Sequence, residues 1–438
     1  GTPEYNKIKN LKIAFVVDEC HRAVTPSTKR ELERFFRNSL WFGFTGTPRF
    51  AENPYPKLGD LARTTEELYG EILHKYTIQN AIHDNAVLGF QVEHNGPKKV
   101  VDETDSSNYD NETHMLKVLD IILNKSYHKL GFPNGKGKTY EGILTTSSIQ
   151  MAQKYYELLT KVKKGETSLT IDDRVKQVLP DFPKFAITYS VTENEDGSQV
   201  NQQKMQQSLD DYNNMFETTF ELSQIQSYNG NLNKRLARKD SKFERRSEQL
   251  DLVIVVDRLL TGFDAPCMST IFIDRQPMGP HDLIQAFSRT NRIFDKNKTY
   301  GQIVTFQAPV LFKECVDNAV KLYSAGGIGG AVVADWEEVE PAFRKALAAL
   351  RVSAETPAEV PGMSLAEKKV FAKNWRSLSN YIVKAINLLR FQKKIFCRRE
   401  KSERIRRRRA MGRCPIRLLY ERHAVRIPYL ALYSAQSC

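Results

Sequence analysis

Continuous apolar runs alternate with amphipathic stretches along most of this chain. "LKIAFVVDEC" places Ile13-Ala14-Phe15-Val16-Val17 in an unbroken, β-branched run. Such a run predicts a buried strand of a parallel sheet. "PSTKRELERFFRNS" follows with Leu32, Phe35 and Phe36 at helical spacing, entered through Pro26 and Ser27. "LWFGFTGTP" is a second short apolar run that ends in a Gly/Pro turn. Strand, helix and strand in this order predict a parallel α/β sheet.

Residues 65–92, with "TIQNAIHDNAVL", read as a helix-rich connector, and the polar stretch over 93–113 reads as a link or sheet-edge excursion. A second α/β region starts near His114 with a helix to about Lys129. Strands are predicted at "GILTTSS" (142–148), "KFAITYS" (184–190), "LDLVIVV", "STIFIDRQ" and "YGQIVTF", with helices at "IQMAQKYYELLTKV" and "HDLIQAFSRTNRI". Residues 191–249 are rich in Asn, Gln, Asp and Lys and read as an insertion with helical patches. Tyr155 and Tyr156 are expected in the core. After Gln307 the chain reads as helical to Arg390, interrupted by a glycine linker at Gly326, Gly327, Gly329 and Gly330. The 438 residues suit two to four domains.

Charge changes the picture at one end only. The net charge is +13. Residues 391–438 hold fourteen Lys and Arg against three Glu, or +11, which leaves +2 for residues 1–390. At Arg390 the composition switches abruptly from Lys, Glu, Leu and Ala at helical spacing to Arg-rich sequence with three cysteines. A native basic tail and a frameshifted, non-native, disordered one are the two readings. The loss of any period in mid-helix favours the second. The six cysteines form no CxxC pair and no zinc-type spacing, which suits a reducing, cytoplasmic setting. No apolar run reaches the ~18 residues of a membrane span, so no membrane partner is expected.

The candidate chemistry sits where apolar runs stop. In "IAFVVDECHRA" the strand ends in Asp18 and Glu19. The carboxyl ends of parallel strands open into the crevice where α/β folds bind ligands. An Asp in that place suits Mg²⁺ bridging the phosphates of ATP, with the adjacent Glu activating water. Three further stretches follow in order. They are "TGTP" with Thr45 and Thr47, "TGFDAP" with Thr261, Gly262 and Asp264, and "QAFSRTNR" with Gln285, Arg289 and Arg292. Each alone is a common turn or a solvated helix. Their order and separation resemble motifs II, III, V and VI of superfamily 2 helicases.

A closer resemblance is carried by "VVDECHRA", "FGFTGTPRF", "LYGEILHKYTIQNAIHDNAVLGFQV", "LTTSSIQMAQKYYELL", "LLTGFDAP" and "LIQAFSRTNRIFDKNKTYGQIVTF". Over roughly 12–322 the chain looks like the motor part of the restriction (R) subunit of type I restriction–modification enzymes. The resemblance implies RecA-like parallel-sheet motor domains, the first one partial, followed by a helical region. It implies ATP-driven translocation on double-stranded DNA coupled to cleavage, with methyltransferase (M) and specificity (S) subunits as partners. Asp18, Glu19, Arg289 and Arg292 would then be catalytic, the two arginines three apart on one helix face. Asp18 would hold Mg²⁺ through ATP. His21, Thr45, Thr47, Gly262, Asp264 and Gln285 would contact or sense the nucleotide. Thr145, Thr146, Ser147 and Thr261 would meet DNA. The sequence contains no GxxxxGK[ST] phosphate loop. The chain is therefore expected to be a fragment, holding half of the first motor domain and all of the second, and to be inactive alone. Another superfamily 2 helicase, or a non-catalytic binding module, remains the alternative.

Overall fold

The computed structural model describes residues 7–96, 102–190, 198–324, 332, 336–378 and 381. They belong to two compact units, 1–333 and 334–438. The glycine linker and the basic tail lie outside the described residues.

The first unit begins with a small parallel sheet. Strand β1 (Ile13–Val17) pairs with β2 (Ser39–Gly43) in the register Ile13↔Ser39 to Val17↔Gly43. The crossover runs through the short helix α1 (Cys20–Ala23) and α2 (Pro26–Phe35). Thr25 caps α2 by accepting from the Thr28 N–H at 3.1 Å, and Pro26 supplies the preset first-turn backbone. On one face Phe15 stacks on Trp41 at 4.2 Å and meets Phe36 edge-on at 5.5 Å. The other face is bare. Val16 is 69% exposed, Leu40 64% and Phe42 40%. The continuous apolar runs predicted burial on both faces. The structure corrects this, because among the described residues no layer covers the second face.

The larger sheet has six parallel strands in the order β3-β8-β7-β4-β6-β5. They are β3 (Phe90–His94), β4 (Glu141–Thr146), β5 (Phe185–Thr188), β6 (Leu252–Val255), β7 (Met268–Asp274) and β8 (Gly301–Thr305). Every residue of β4, β5, β6 and β7 is buried, as suits strands covered on both faces. Between β2 and β3 lie α3 (Thr65–Tyr69) and α4 (Ile78–His83). Strand β3 crosses the boundary at which a connector was expected to give way to a linker. "FQVEH" is mostly half-buried, as suits an edge strand, so it carries no apolar run to announce it.

Helix α5 (Glu112–Asp120) leads into a π-helical turn at Ile121–Lys125. Helix α6 (Ile149–Lys164) lies against β4, β5 and β6, with Tyr155 and Tyr156 in the core as expected. After α7 (Asp173–Val178), residues 198–237 form α8 (Ser198–Phe216) and α9 (Ile225–Ala237). Met205, Leu209, Tyr212 and Phe216 on α8, with Tyr228, Leu232 and Leu236 on α9, join the main core. The stretch read as an insertion is thus part of the packed body, its apolar stripe diluted by exposed Asn and Gln. Helix α10 (Pro280–Phe287) packs against α11 (Pro309–Tyr323), which also touches β3. The second unit contains α12 (Trp336–Ser353) and helical residues 365–378, joined by Phe343, Ala346 and Leu378.

Candidate nucleotide cleft

The end of β1 turns sharply. Glu19 adopts left-handed backbone angles, φ 48° and ψ 43°, which cost a non-glycine residue free energy. The turn leaves Asp18 in solvent, where its Oδ1 accepts from the Glu19 N–H at 2.9 Å. It also sends the next two side chains inward. Cys20 is fully buried against Gly43, where an added Cβ would lie 2.8 Å from its Sγ. Burial pushes its thiol up to about 11. The four residues of "DECH" therefore divide their work: two carboxylates face out, one thiol packs, and one imidazole reaches the other sheet.

That imidazole, His21, is buried. Its Nε2 accepts from the Gln285 Nε2 amide at 3.1 Å, which leaves the ring proton on Nδ1 to donate to Thr45 Oγ1 at 2.6 Å. The same Gln285 amide donates to Thr47 Oγ1 at 2.9 Å. Thr45 Oγ1 also accepts from the Thr47 N–H at 3.0 Å. The Glu19 carboxylate lies 3.4 Å from His21 Nδ1. Burial, and then the neighbouring His281, Arg22 and Arg49, push the imidazole down to about 4. His21 is therefore neutral at pH 7. The His281 ring stands edge-on to it at 4.4 Å.

The two arginines fall outside the helix expected to carry them. α10 ends at Phe287; Arg289 lies in the turn that follows and Arg292 in the irregular stretch after it. The helix stops because Thr290 and Asn291 turn inward. The Asn291 carbonyl accepts from Leu88 N–H at 2.8 Å, and Thr290 packs so closely on Gly301 that a Cβ there would clash with it. Arg289 Nε donates to the Gln285 carbonyl at 3.1 Å and its Nη1 donates to the Phe263 carbonyl. Burial and Arg292 lower its pKa, partly offset by Glu19 and Asp264. Arg292 Nε donates to Asp264 Oδ1 at 3.1 Å, and Lys239 Nζ lies 3.7 Å from Asp264 Oδ2. Asp264 thus holds a guanidinium. Gly262 sits at φ +68°, open to glycine at no steric cost, with Arg22 Nη2 3.6 Å from where a Cβ would be.

Asp18, Glu19, His21, Thr45 and Thr47 from the small sheet are thus gathered with Gln285, Arg289 and the Arg292–Asp264 pair from the large one. The residues expected at DNA divide. Thr145 and Thr146 are buried, and their hydroxyls donate to the Val256 carbonyl at 2.7 Å and the Ser148 carbonyl at 3.1 Å. Their position inside β4 removes those hydroxyls from the surface, which corrects the expectation for the side chains. Ser147 is exposed just past the end of β4, and Thr261 is half-buried in the loop between β6 and β7. Among the described residues no group of three or more His, Cys, Asp or Glu is placed to hold a metal by itself. Sequence reasoning missed His281, Arg49 and Tyr323. Arg49 and His281 lie on quoted stretches, "FGFTGTPRF" and "HDLIQAFSRTNRI", but were passed over there, and Tyr323 lies on no such string.

Residues 2–119 match the SWI2/SNF2 ATPase family, and residues 138–308 match the family of type I restriction enzyme subunit R domain 3. The chain is 31% identical over 399 residues to the type I restriction enzyme SauCOLORF180P endonuclease subunit of Staphylococcus aureus strain COL, covering 88% of this chain and 40% of that protein. It is 32% identical over 391 residues to the SauMSSORF170P endonuclease subunit of strain MSSA476, covering 86% and 39%. Among solved structures, the ATP-dependent Type ISP restriction-modification enzyme LlaBIII bound to DNA aligns at 15% identity and TM-score 0.38, covering 72% of this chain and 20% of that one. The chain spans about 40% of the length of the curated relatives it matches. With the two family matches following one another along the chain, and about 31% identity extending over most of its length, the chain belongs to the endonuclease (R) subunits of type I restriction enzymes.

Proposed function

We propose that this chain is the motor region of such a subunit, using ATP to translocate double-stranded DNA, with cleavage in the complete enzyme assembled with M and S subunits. The observation that carries the reading is the Gln285 amide, which joins His21 and Thr47 across two parallel sheets. A motor needs the nucleotide to sense both lobes at once, and this amide is one place at which the two lobes meet.

The residues present fit a magnesium–nucleotide pair on one side. Asp18 is exposed and uses one carboxylate oxygen on the Glu19 N–H, and its carboxylate would hold the Mg²⁺ that accompanies ATP. When bound, ATP with Mg²⁺ supplies the transferable phosphoryl group. Glu19 is set to orient water and take its proton. Arg289 and Arg292, docked on the Phe263–Asp264 loop, supply positive charge for a developing phosphate. His21, kept neutral, and Thr45 and Thr47 link these groups. Ser147 and Thr261 remain the surface contacts for DNA phosphates, where a motor needs position without base readout. A cytoplasmic setting goes with this reading. Among the described residues no helix is long and apolar enough to cross a membrane.

The sequence has no phosphate loop, whose backbone N–H groups and Lys grip the triphosphate. The 438-residue chain by itself is therefore expected to show no DNA-stimulated ATP hydrolysis. In a longer protein with a phosphate loop, Glu19→Gln is expected to keep ATP binding and abolish turnover. Radiolabelled ATP binding and phosphate release measured side by side test this. Undiminished turnover in Glu19→Gln argues against the cleft as the ATP site.

A further inference from the structure

Gln285 is one of two grips that the large sheet has on the loop after β2. The second is Tyr323, the last residue of α11. Its ring is buried and lies 5.9 Å from that of Phe50. Its hydroxyl accepts from Asn53 Nδ2 at 2.7 Å and donates to the Pro48 carbonyl at 3.2 Å. Asn53 in turn accepts from the Phe50 N–H at 2.7 Å, so the turn over residues 50–53 is closed around the same hydroxyl.

The two grips meet on neighbouring residues. Gln285 holds Thr47 and Tyr323 holds Pro48, across one peptide bond. That bond is planar, the Pro48 φ is fixed by its ring and the backbone of Thr47 is restricted by the proline after it, so only a few rotations separate the two anchor points. On the other side, Gln285 and Tyr323 stand on α10 and α11, which pack against each other. A shift of α11 therefore reaches Thr47 by two stiff routes. Packing alone does not explain the hydroxyl: a phenylalanine would fill the same space, but it would leave the Asn53 amide and the Pro48 carbonyl without their partner.

We propose that Tyr323 is a positioning residue that sets Thr47 against Gln285 and so fixes the hydrogen bonds of His21, although it touches neither His21 nor Gln285 through its hydroxyl. Its bearing on turnover rests on the cleft being the nucleotide site. The link itself does not, and it is tested without nucleotide.

The test uses the 438-residue chain with ¹⁵N-labelled histidine at a fixed pH of about 7.5, one unit above the ordinary histidine value. The His21 ring nitrogens are assigned by their loss in His21→Asn. Tyr323→Phe keeps the ring and deletes only the hydroxyl. The expected result is a shift of both His21 nitrogens away from their hydrogen-bonded positions, while the ring signals of His114, held by Asp274 at 2.7 Å, stay in place. A merely structural tyrosine would lower the unfolding temperature and leave the His21 nitrogens where they were. That result would overturn the proposal. Asn53→Ala, which removes the other partner of the hydroxyl, is read in the same way if Tyr323→Phe does not fold. Because no ATP is present, failure of the nucleotide reading would show itself separately, as undiminished turnover in Glu19→Gln.

Discussion

Gln285 Nε2 lies 2.9 Å from Thr47 Oγ1 and 3.1 Å from His21 Nε2, so one amide group on α10 ties down both α1 and the loop after β2. Both of its protons are spent on the opposite side. Gln285→Ala leaves a buried imidazole nitrogen and a buried hydroxyl without their partner. Each such loss costs roughly 1–3 kcal/mol. The variant is expected to unfold at a lower temperature than wild type, and Gln285→Glu, which offers no N–H, is expected to do no better. Differential scanning calorimetry on the three proteins gives the answer. Equal midpoints would mean that the bridge is not made in solution.

The neutral state of His21 predicts a pH dependence. Its folded-state value lies near 4, below the ~6.5 of an unfolded chain. Between these values the unfolded state binds more protons than the folded one, so stability rises with pH across that window. The contribution is complete above about 6.5 and is lost as pH falls toward 4. Urea unfolding at a series of pH values from about 4 to about 6.5, all within that window, is expected to show a steeper loss for wild type than for His21→Asn. Parallel curves would remove the assignment of His21 as a buried neutral base.

Arg289 and Arg292 are both docked on the loop 263–264, one on a carbonyl and one on a carboxylate. In a longer, ATP-hydrolysing protein, replacing a true arginine finger by alanine costs ~10³-fold or more in turnover. Arg289→Ala and Arg292→Ala are expected to show this in phosphate-release assays. Asp264→Ala should weaken turnover as well, less steeply, because it frees Arg292 without removing it. A loss under about tenfold at both arginines would refute their role.

The bare face of the small sheet has its own consequence for handling. Val16, Leu40 and Phe42 form a contiguous apolar strip in solvent. Such strips bind hydrophobic dyes and favour association. Leu40→Lys with Phe42→Thr is expected to lower dye fluorescence and raise the concentration at which the 438-residue chain stays monomeric by light scattering. Unchanged scattering would show that the strip is covered in solution.

Much of this was legible in the sequence, and the physical reason is locality. The buried strands announce themselves by short apolar stretches, Leu252–Val255 in β6, Ile143 and Leu144 in β4 and Ile271–Ile273 in β7, and Asp18, His21, Thr45 and Thr47 follow directly on the apolar runs of β1 and β2. Asp18, His21, Thr47, Gln285 and Arg289 were singled out by the resemblance of their strings, in order, to superfamily 2 helicase motifs. What escaped depends on contacts between distant segments. Edge strand β3 is polar and is defined by pairing with β8 more than 200 residues later. The early end of α10 is set by Gly301 and Leu88, not by a Pro or Gly beside it. Helices α8 and α9 hide a regular apolar stripe under an Asn- and Gln-rich exterior. Tyr323 has no local signal at all, since its meaning comes from a loop 270 residues away.

Glu19 carries a trade-off between endurance and work. Its left-handed backbone is a conformation that asparagine adopts more cheaply than glutamate. Glu19→Asn should therefore make the chain more heat-resistant while removing the carboxylate assigned to water activation. A screen for thermal survival alone would tend to select the inactive form. The strain at this one residue marks a place where function and robustness pull in opposite directions.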